Sequence, residues 1–170
     1  MPSARFMGGR EYEIVRAGRN PDHDEADLER VLEAGVMLLP AVEPASGPFR
    51  GRDARWTVEP ASQGERALAL AWYLALMTGV CLSLIGAEGP IVVEGPFARN
   101  VDFLEMLEIS AGRPVEANAG SVTGTSIGAA LLAAPSSKPA SSGDGPLVTG
   151  RARRLAAYAD AWKRAVCVPV

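Results

Sequence analysis

The residues best suited to chemistry in this chain lie in one short stretch, residues 91–100. Three β-branched apolar residues come first, Gly95 and Pro96 follow, and Asn100 precedes a run with helical spacing. This order predicts a strand, a tight turn and a helix N-terminus. Glycine lets the backbone of such a turn approach a ligand closely, and the unpaired N–H groups of a helix start attract phosphates. The stretch is therefore a candidate nucleotide site, although an ordinary strand–helix corner would use the same residue types.

Groups for nucleophilic or metal chemistry are sparse. His23 is the only histidine, and the two cysteines, Cys81 and Cys167, are far apart in sequence. This set has no zinc-ligand spacing, and a histidine-assisted nucleophile would depend on His23 alone. His23 lies in a polar run typical of helix capping, which predicts a solvated surface side chain. Cys81 lies in an apolar run and is expected to be a small buried side chain, with a disulfide left open as the alternative.

Three carboxylates could be considered as general bases: Asp22, Asp24 and Asp102. Each is better explained by helix capping or by a position on a helix surface. The sequence therefore predicts no catalytic residue and no metal ligand in this chain.

Composition limits the classes of protein to consider. The 170 residues, 48 % of them hydrophobic, suit one domain or a piece of a larger protein. A net charge of −3 and 6 % aromatic residues argue against a nucleic-acid partner. The arginine-containing residues 48–56 leave a nucleic-acid patch or an anion site as weaker alternatives to a solvated loop.

The apolar residues 67–85 have about the length of a membrane span. They are alanine-rich and lack basic flanks, which favours a buried core helix. The N-terminus carries no secretory leader pattern. We therefore expect a cytoplasmic protein without a membrane partner.

The remaining elements follow from periodicity, capping residues and turn residues. In chain order we predict strand pieces around the glycine pair at 8–9, a helix at 24–34, a short strand at 36–40, an irregular loop at 41–59, a long helix from the capping box at 62–65 to about 84, a strand at 91–93, a helix at 101–111, a parallel strand at 114–118, a small-residue helix at 127–133, a flexible linker at 135–150 and a terminal helix at 151–166 that Trp162 docks onto the domain. The strand–helix–strand–helix order from residue 91 onward predicts right-handed crossovers onto a parallel sheet.

Together these pieces resemble the C-terminal lobe of the FGGY family of carbohydrate kinases, which belongs to the actin-like ATPase superfamily. The resemblance covers most of residues 5–165 and implies an α/β fold: a partial ribonuclease H-like lobe with a mixed sheet and helices on both faces. The stretches that carry it are the long alanine-rich helix followed by residues 91–100, which are similar to the family's adenosine-binding turn, the runs at 103–107 and 112–115, the small-residue segment 124–133, and the opening residues 6–11.

The resemblance implies phosphoryl transfer from ATP to a sugar hydroxyl, with ATP or ADP and Mg²⁺ as ligands. By analogy with the family's turn, Gly95, Pro96, Arg99 and Asn100 would line the adenosine site. A surface arginine at Arg99 and a plain N-cap at Asn100 are the alternatives. The family's turn usually has two or three successive glycines, whereas Gly95 stands alone here, so an altered adenosine contact is expected.

The family's first lobe carries a phosphate turn, most of the sugar pocket and the aspartate base, and the sequence contains none of these. We therefore expect the isolated chain to be inactive and to meet its sugar substrate only together with the missing N-terminal lobe. Two alternatives remain open: a non-catalytic nucleotide-binding module, and a protein-interaction module whose exposed sheet edge and apolar cleft wall would favour a homodimer.

Overall fold

The computed structural model describes residues 3–19, 22–118 and 150–166 and has a mixed α/β fold with small sheets, as predicted. The elements in chain order are helix α1 (Gly8–Arg16), helix α2 (Glu25–Ala34), strand β1 (Leu38–Leu39), strand β2 (Arg55–Trp56), helix α3 (Gln63–Leu84), strand β3 (Ile91–Glu94), a 3-10 turn (Pro96–Arg99), helix α4 (Val101–Ala111), strand β4 (Val115–Asn118) and helix α5 (Gly150–Val166).

Helix α3 lies at the centre of the domain. The hydroxyl of Ser62 caps its first turn by accepting a hydrogen bond from the Glu65 N–H at 3.0 Å. Its residues 68–77 are all buried, and α1, α2 and α4 pack around it. The helix has the length and hydropathy of a membrane span, but 61 % of its most apolar window is buried inside the domain. Its packing is that of the predicted core helix.

The strand predicted at 91–93 forms as β3 and pairs in parallel with β4, with Ile91 opposite Val115. Helix α4 lies between them in sequence and has the predicted bounds, 101–111, with Gly112 ending it in the left-handed conformation. This part of the parallel strand–helix–strand prediction is confirmed. The predicted small-residue helix at 127–133 and linker at 135–150 lie outside the described residues, except for Gly150, which begins α5.

The prediction of strand pieces around Gly8 is wrong, because this segment forms helix α1. Of the apolar residues used for the prediction, Tyr12 packs on the core together with Val15, on the same side of the helix as the buried Glu11, whereas Ile14 is 50 % exposed. Gly8 allows the helix to begin beneath Phe6, since a Cβ there would lie 3.0 Å from the Phe6 ring.

The predicted irregular loop at 41–59 contains one short strand, β2, which pairs antiparallel with β1. The loop also contacts α5: Arg52 donates to the Val166 carbonyl oxygen at 2.6 Å, and Phe49 packs edge to face against Trp162. Trp162 is fully buried and donates its indole N–H to the Leu38 carbonyl oxygen at 2.7 Å, which confirms its docking role.

Candidate functional site

The turn after β3 has a conformation that requires glycine. Gly95 has φ +79° and ψ −158°, a region occupied almost entirely by glycine. A Cβ built on Gly95 would meet no atom within 4 Å, so the turn faces open space. The turn therefore leaves room for the close approach of a ligand that the sequence predicted.

One 3-10 turn separates Gly95 from helix α4, a detail that the prediction of a single tight turn did not include. Asn100 is the N-cap of α4, because its side-chain oxygen accepts the Phe103 N–H at 2.9 Å. This capping role was one of the two alternatives for Asn100. It leaves the amide nitrogen of the same side chain for other contacts.

A cleft of about 840 Å³ lies between α1, the first half of α3, and the 3-10 turn with the start of α4. Of the four predicted site residues, Pro96, Arg99 and Asn100 line this cleft, while Gly95 lies immediately before them. The remaining lining residues come from α1, the segment between α1 and α2, α3 and α4: Gly9, Tyr12, Glu13, Arg16, Arg19, Asp22, His23, Gln63, Arg66, Ala67, Leu70, Ala71, Phe97, Val101 and Asp102.

One part of the cleft is apolar. Ala67, Leu70 and Ala71 of α3 form its floor, and the small alanine side chains leave space above the helix. Tyr12 and Phe97 pack edge to face against each other, with ring centroids 5.5 Å apart, and both line the cleft. Such a surface suits a flat, largely apolar group such as a nucleotide base.

The rim of the cleft is rich in arginine. Four arginines line it (Arg16, Arg19, Arg66 and Arg99) together with three carboxylates (Glu13, Asp22 and Asp102). The Arg16 Nε donates to Glu13 at 2.9 Å, and this hydrogen bond raises the pKa of the arginine. Guanidinium groups bind phosphate oxygens well, so a rim of this kind can accept an anionic group.

His23 lies in this cleft, where its Nε2 is 2.8 Å from an Asp102 carboxylate oxygen. The side chains are only 24 % and 21 % exposed, so the prediction of a solvated surface histidine is wrong. The sequence did place Asp24 as a helix cap and Asp102 on the first turn of a helix, and both are found there. Nothing in the sequence indicated that two segments 79 residues apart would bring His23 to Asp102.

The described residues contain no group of three or more histidine, cysteine or carboxylate side chains that could hold a metal ion. Two of the three cleft carboxylates are already engaged, Glu13 with Arg16 and Asp102 with His23. A Mg²⁺ ion carried by a nucleotide takes many of its ligands from phosphates and water. The cleft is therefore compatible with a nucleotide-borne Mg²⁺ but offers no dedicated metal site within the described part of the chain.

Two buried ionisable groups lie behind the cleft. Glu11 accepts the Tyr73 hydroxyl at 2.8 Å and the Glu43 N–H at 3.2 Å, and burial raises the pKa of its carboxyl group. Cys81 is a buried free thiol whose pKa is raised by burial, as expected for a small core side chain. Cys167 lies outside the described residues.

Residues 1–165 match the family model of the C-terminal domain of FGGY carbohydrate kinases. The chain therefore belongs to this family, as the resemblance of its turn and helices predicted. A similar solved structure is the crystal structure of a carbohydrate kinase from Novosphingobium aromaticivorans, with 33 % sequence identity and a TM-score of 0.75. The match covers 96 % of this chain but only 36 % of that kinase. No curated protein matches the chain.

Proposed function

We propose that this chain is the nucleotide-side lobe of an ATP-dependent carbohydrate kinase, which transfers a phosphoryl group from ATP to a sugar hydroxyl. The observation that carries the proposal is the cleft, which combines an apolar aromatic surface with an arginine rim next to the Gly95 turn. A nucleotide has the same two parts, a flat base and a charged phosphate chain. Membership of the FGGY family supports this interpretation.

Within this proposal, Gly95, Pro96, Arg99 and Asn100 line the adenosine site. Gly95 would present its backbone to the nucleoside, because its conformation excludes other residues and the space before it is open. Asn100 would contribute its amide nitrogen, since its oxygen caps α4. Arg99 would meet the ribose or the phosphates from the rim of the cleft.

The chemistry of transfer requires a second lobe. Two of the three cleft carboxylates, Glu13 and Asp102, are paired with Arg16 and His23, and the third, Asp22, is an exposed side chain, which argues against a general base for a sugar hydroxyl among them. The chain also spans only 36 % of the similar kinase. We infer that sugar binding and the catalytic base belong to an N-terminal lobe and that the isolated chain is inactive. Mg²⁺ bound with the nucleotide would neutralise phosphate charge.

The same proposal includes a cytoplasmic, soluble setting without nucleic acid or membrane partners. It is supported by the burial of α3 inside the domain and by the net charge of −3.

A second candidate is a non-catalytic nucleotide-binding or protein-interaction module. It is favoured by three large apolar side chains that are exposed around β3 and the ends of its neighbouring helices: Leu84, Val92 and Val101, 67 %, 58 % and 73 % exposed. An apolar surface of this kind would support a homodimer. Light scattering at high protein concentration tests this, because a monodisperse monomer would contradict the interaction module.

The proposed function is tested with ADP and Mg²⁺ on the purified chain. We expect ADP to bind in calorimetry and to raise the unfolding temperature. Gly95→Ala should raise the Kd for ADP roughly tenfold, since a Cβ would occupy the space used by the ligand and would strain the turn.

Gly89→Ala is the matched control, because Gly89 also has positive φ, +74°, and open space around it, but precedes β3, whereas Gly95 is bonded directly to the cleft residue Pro96. Both variants should lose stability, while only Gly95→Ala should weaken ADP binding. Absence of ADP binding by the unmodified chain, or equal weakening in both variants, would contradict the assignment.

A further inference from the structure

We propose that His23 and Asp102 are positioning residues of the cleft, and that their hydrogen bond holds the turn at residues 96–100 in the geometry that binds a nucleotide. The inference rests on the proposed function. Asp102 follows Asn100 by two residues on the first turn of α4, so its position and that of the turn are coupled through a short, capped segment. The 2.8 Å contact with His23 therefore restrains the turn itself.

His23 is in turn held firmly against helix α3. A Cβ on the buried Gly64 would overlap the Asp27 carboxylate and would lie 3.2 Å from the His23 Cα. The backbone at residues 22–24, just before α2 (the α2 corner), thus rests directly on the first turn of α3. Asp27 secures this contact by accepting the Ser62 hydroxyl at 2.7 Å and the Arg30 guanidinium at 2.7 Å.

The other parts of α4 are held by a different helix. Arg151 of α5 makes a bidentate ion pair with Glu105, and Lys163 of α5 donates to the Ser110 carbonyl oxygen at 2.8 Å. The middle and the end of α4 are therefore fixed to α5, whereas its first turn is fixed to the α2 corner through His23. Phe97 and the buried Phe103 pack against the core beneath this turn, so loss of the His23 contact should alter the position of residues 96–100 without releasing them.

An ion pair between α2 and α5 lies outside the cleft. Arg154 donates to Glu29 at 2.6 and 2.8 Å, and neither residue lines the cleft. This pair joins α2 to α5 rather than to α4, and it lies outside the set of residues that line the cleft. It provides the matched control for a change that affects helix packing alone.

The test is a double-mutant cycle with His23→Ala, Asp102→Ala and the double variant. Kd for ADP with Mg²⁺ is measured by calorimetry, and the unfolding temperature is measured on the same samples. Each single variant should raise Kd roughly fivefold, as expected for one lost hydrogen bond that binding depends on. The double variant should bind ADP no more weakly than either single variant, because each single substitution already removes the same contact.

Two variants separate positioning from stability. His23→Gln keeps an N–H donor and should restore much of the affinity, whereas Arg154→Ala should leave Kd unchanged. His23 is also the only histidine, so one set of imidazole NMR signals should shift when ADP is added.

The outcomes distinguish this inference from the function on which it rests. Single variants that lower the unfolding temperature but bind ADP as the unmodified chain does would overturn the positioning role. Additive losses in the double variant would overturn the claim that the contact acts as a unit. An unmodified chain that does not bind ADP would instead overturn the proposed function, and this inference with it.

Discussion

The N-termini of α2 and α4 both lie at the cleft, and they are held in place in different ways. Both begin with a short polar cap, Asp24 for α2 and Asn100 for α4. The α2 corner continues into a network in which Arg30 donates to Glu65 at 2.6 Å and Glu65 accepts the Ala61 N–H at 2.7 Å. The first turn of α4 is instead joined to this corner by the hydrogen bond from His23.

The α2 corner is a fixed support for the cleft, whereas the contact that joins it to the first turn of α4 is easier to break. The carboxylates of Asp27 and Glu65 are almost fully buried, and hydrogen bonds from Ser62 and Arg30 lower their pKa values. Breaking such a network is costly, because it leaves buried polar groups without partners. The hydrogen bond between His23 and Asp102 joins two partly exposed side chains and can be lost at a smaller cost, so we expect a ligand to act on this contact rather than on the buried network.

The largest effect is expected from Gly64→Ala. The new Cβ would overlap the Asp27 carboxylate, so the α2 corner must move away from α3, at a cost of about 3 kcal/mol in the free energy of unfolding. The same movement should displace His23 and weaken ADP binding. Urea unfolding and calorimetry measure the two effects.

Gly79→Ala is the control in the same helix. A Cβ at Gly79 would lie 3.5 Å from the Ser110 hydroxyl oxygen, an ordinary contact, and alanine favours a helix more than glycine does. This variant should be as stable as the unmodified chain or slightly more stable. A Gly64→Ala protein with unchanged stability would show that the α2 corner is not a fixed support.

A smaller loss is expected from Glu65→Gln, about 2 kcal/mol near neutral pH, because the amide replaces the charged partner of Arg30. The folded state lowers the pKa of Glu65, mainly through the Arg30 hydrogen bond. The stabilisation is therefore complete above the unfolded value of 4.5 and is lost as the pH falls through the folded value. Urea unfolding should show the two proteins converging in acid; a difference that does not depend on pH would exclude this charge effect.

The sequence predicted the helix caps around the cleft well. Caps at Asp24, Ser62 and Asn100 are short-range features, and each accepts the expected N–H three residues later. The capping box also predicted that the Glu65 side chain accepts the backbone N–H of Ser62, and this prediction was wrong. Glu65 instead accepts the Ala61 N–H and pairs with Arg30, because tertiary packing decides its partners.

Long-range contacts could not be predicted in the same way. The glycine turn and its strand were found from residue types alone, but the cleft depends on α1, which was predicted as strand pieces. The role of His23 required knowledge that Gly64 lets the α2 corner lie on α3. Neither fact has a signal in the local pattern, because each depends on which surfaces meet in the folded domain.

The smallest effect, and the one of opposite sign, is expected at Glu11, which lies behind the cleft on α1, the helix that lines its other wall. Its carboxyl group is fully buried in α1, and burial raises its pKa above the usual 4.5, outweighing the hydrogen bond from Tyr73. A raised folded value means that this group contributes its stability at low pH and loses it as the pH rises through that value.

Glu11→Gln removes the charge and keeps polar atoms in place for Tyr73 and the Glu43 N–H. We expect the variant to be more stable than the unmodified chain at pH 8, by about 1 kcal/mol, and the two to converge at pH 4. Urea unfolding across this pH range measures the difference. Tyr73→Phe is the control, because it leaves the carboxyl group ionisable and should keep the loss of stability with rising pH. If Glu11→Gln instead loses stability at pH 8, the charged form is the one that α1 requires, and both walls of the cleft depend on buried ionic contacts.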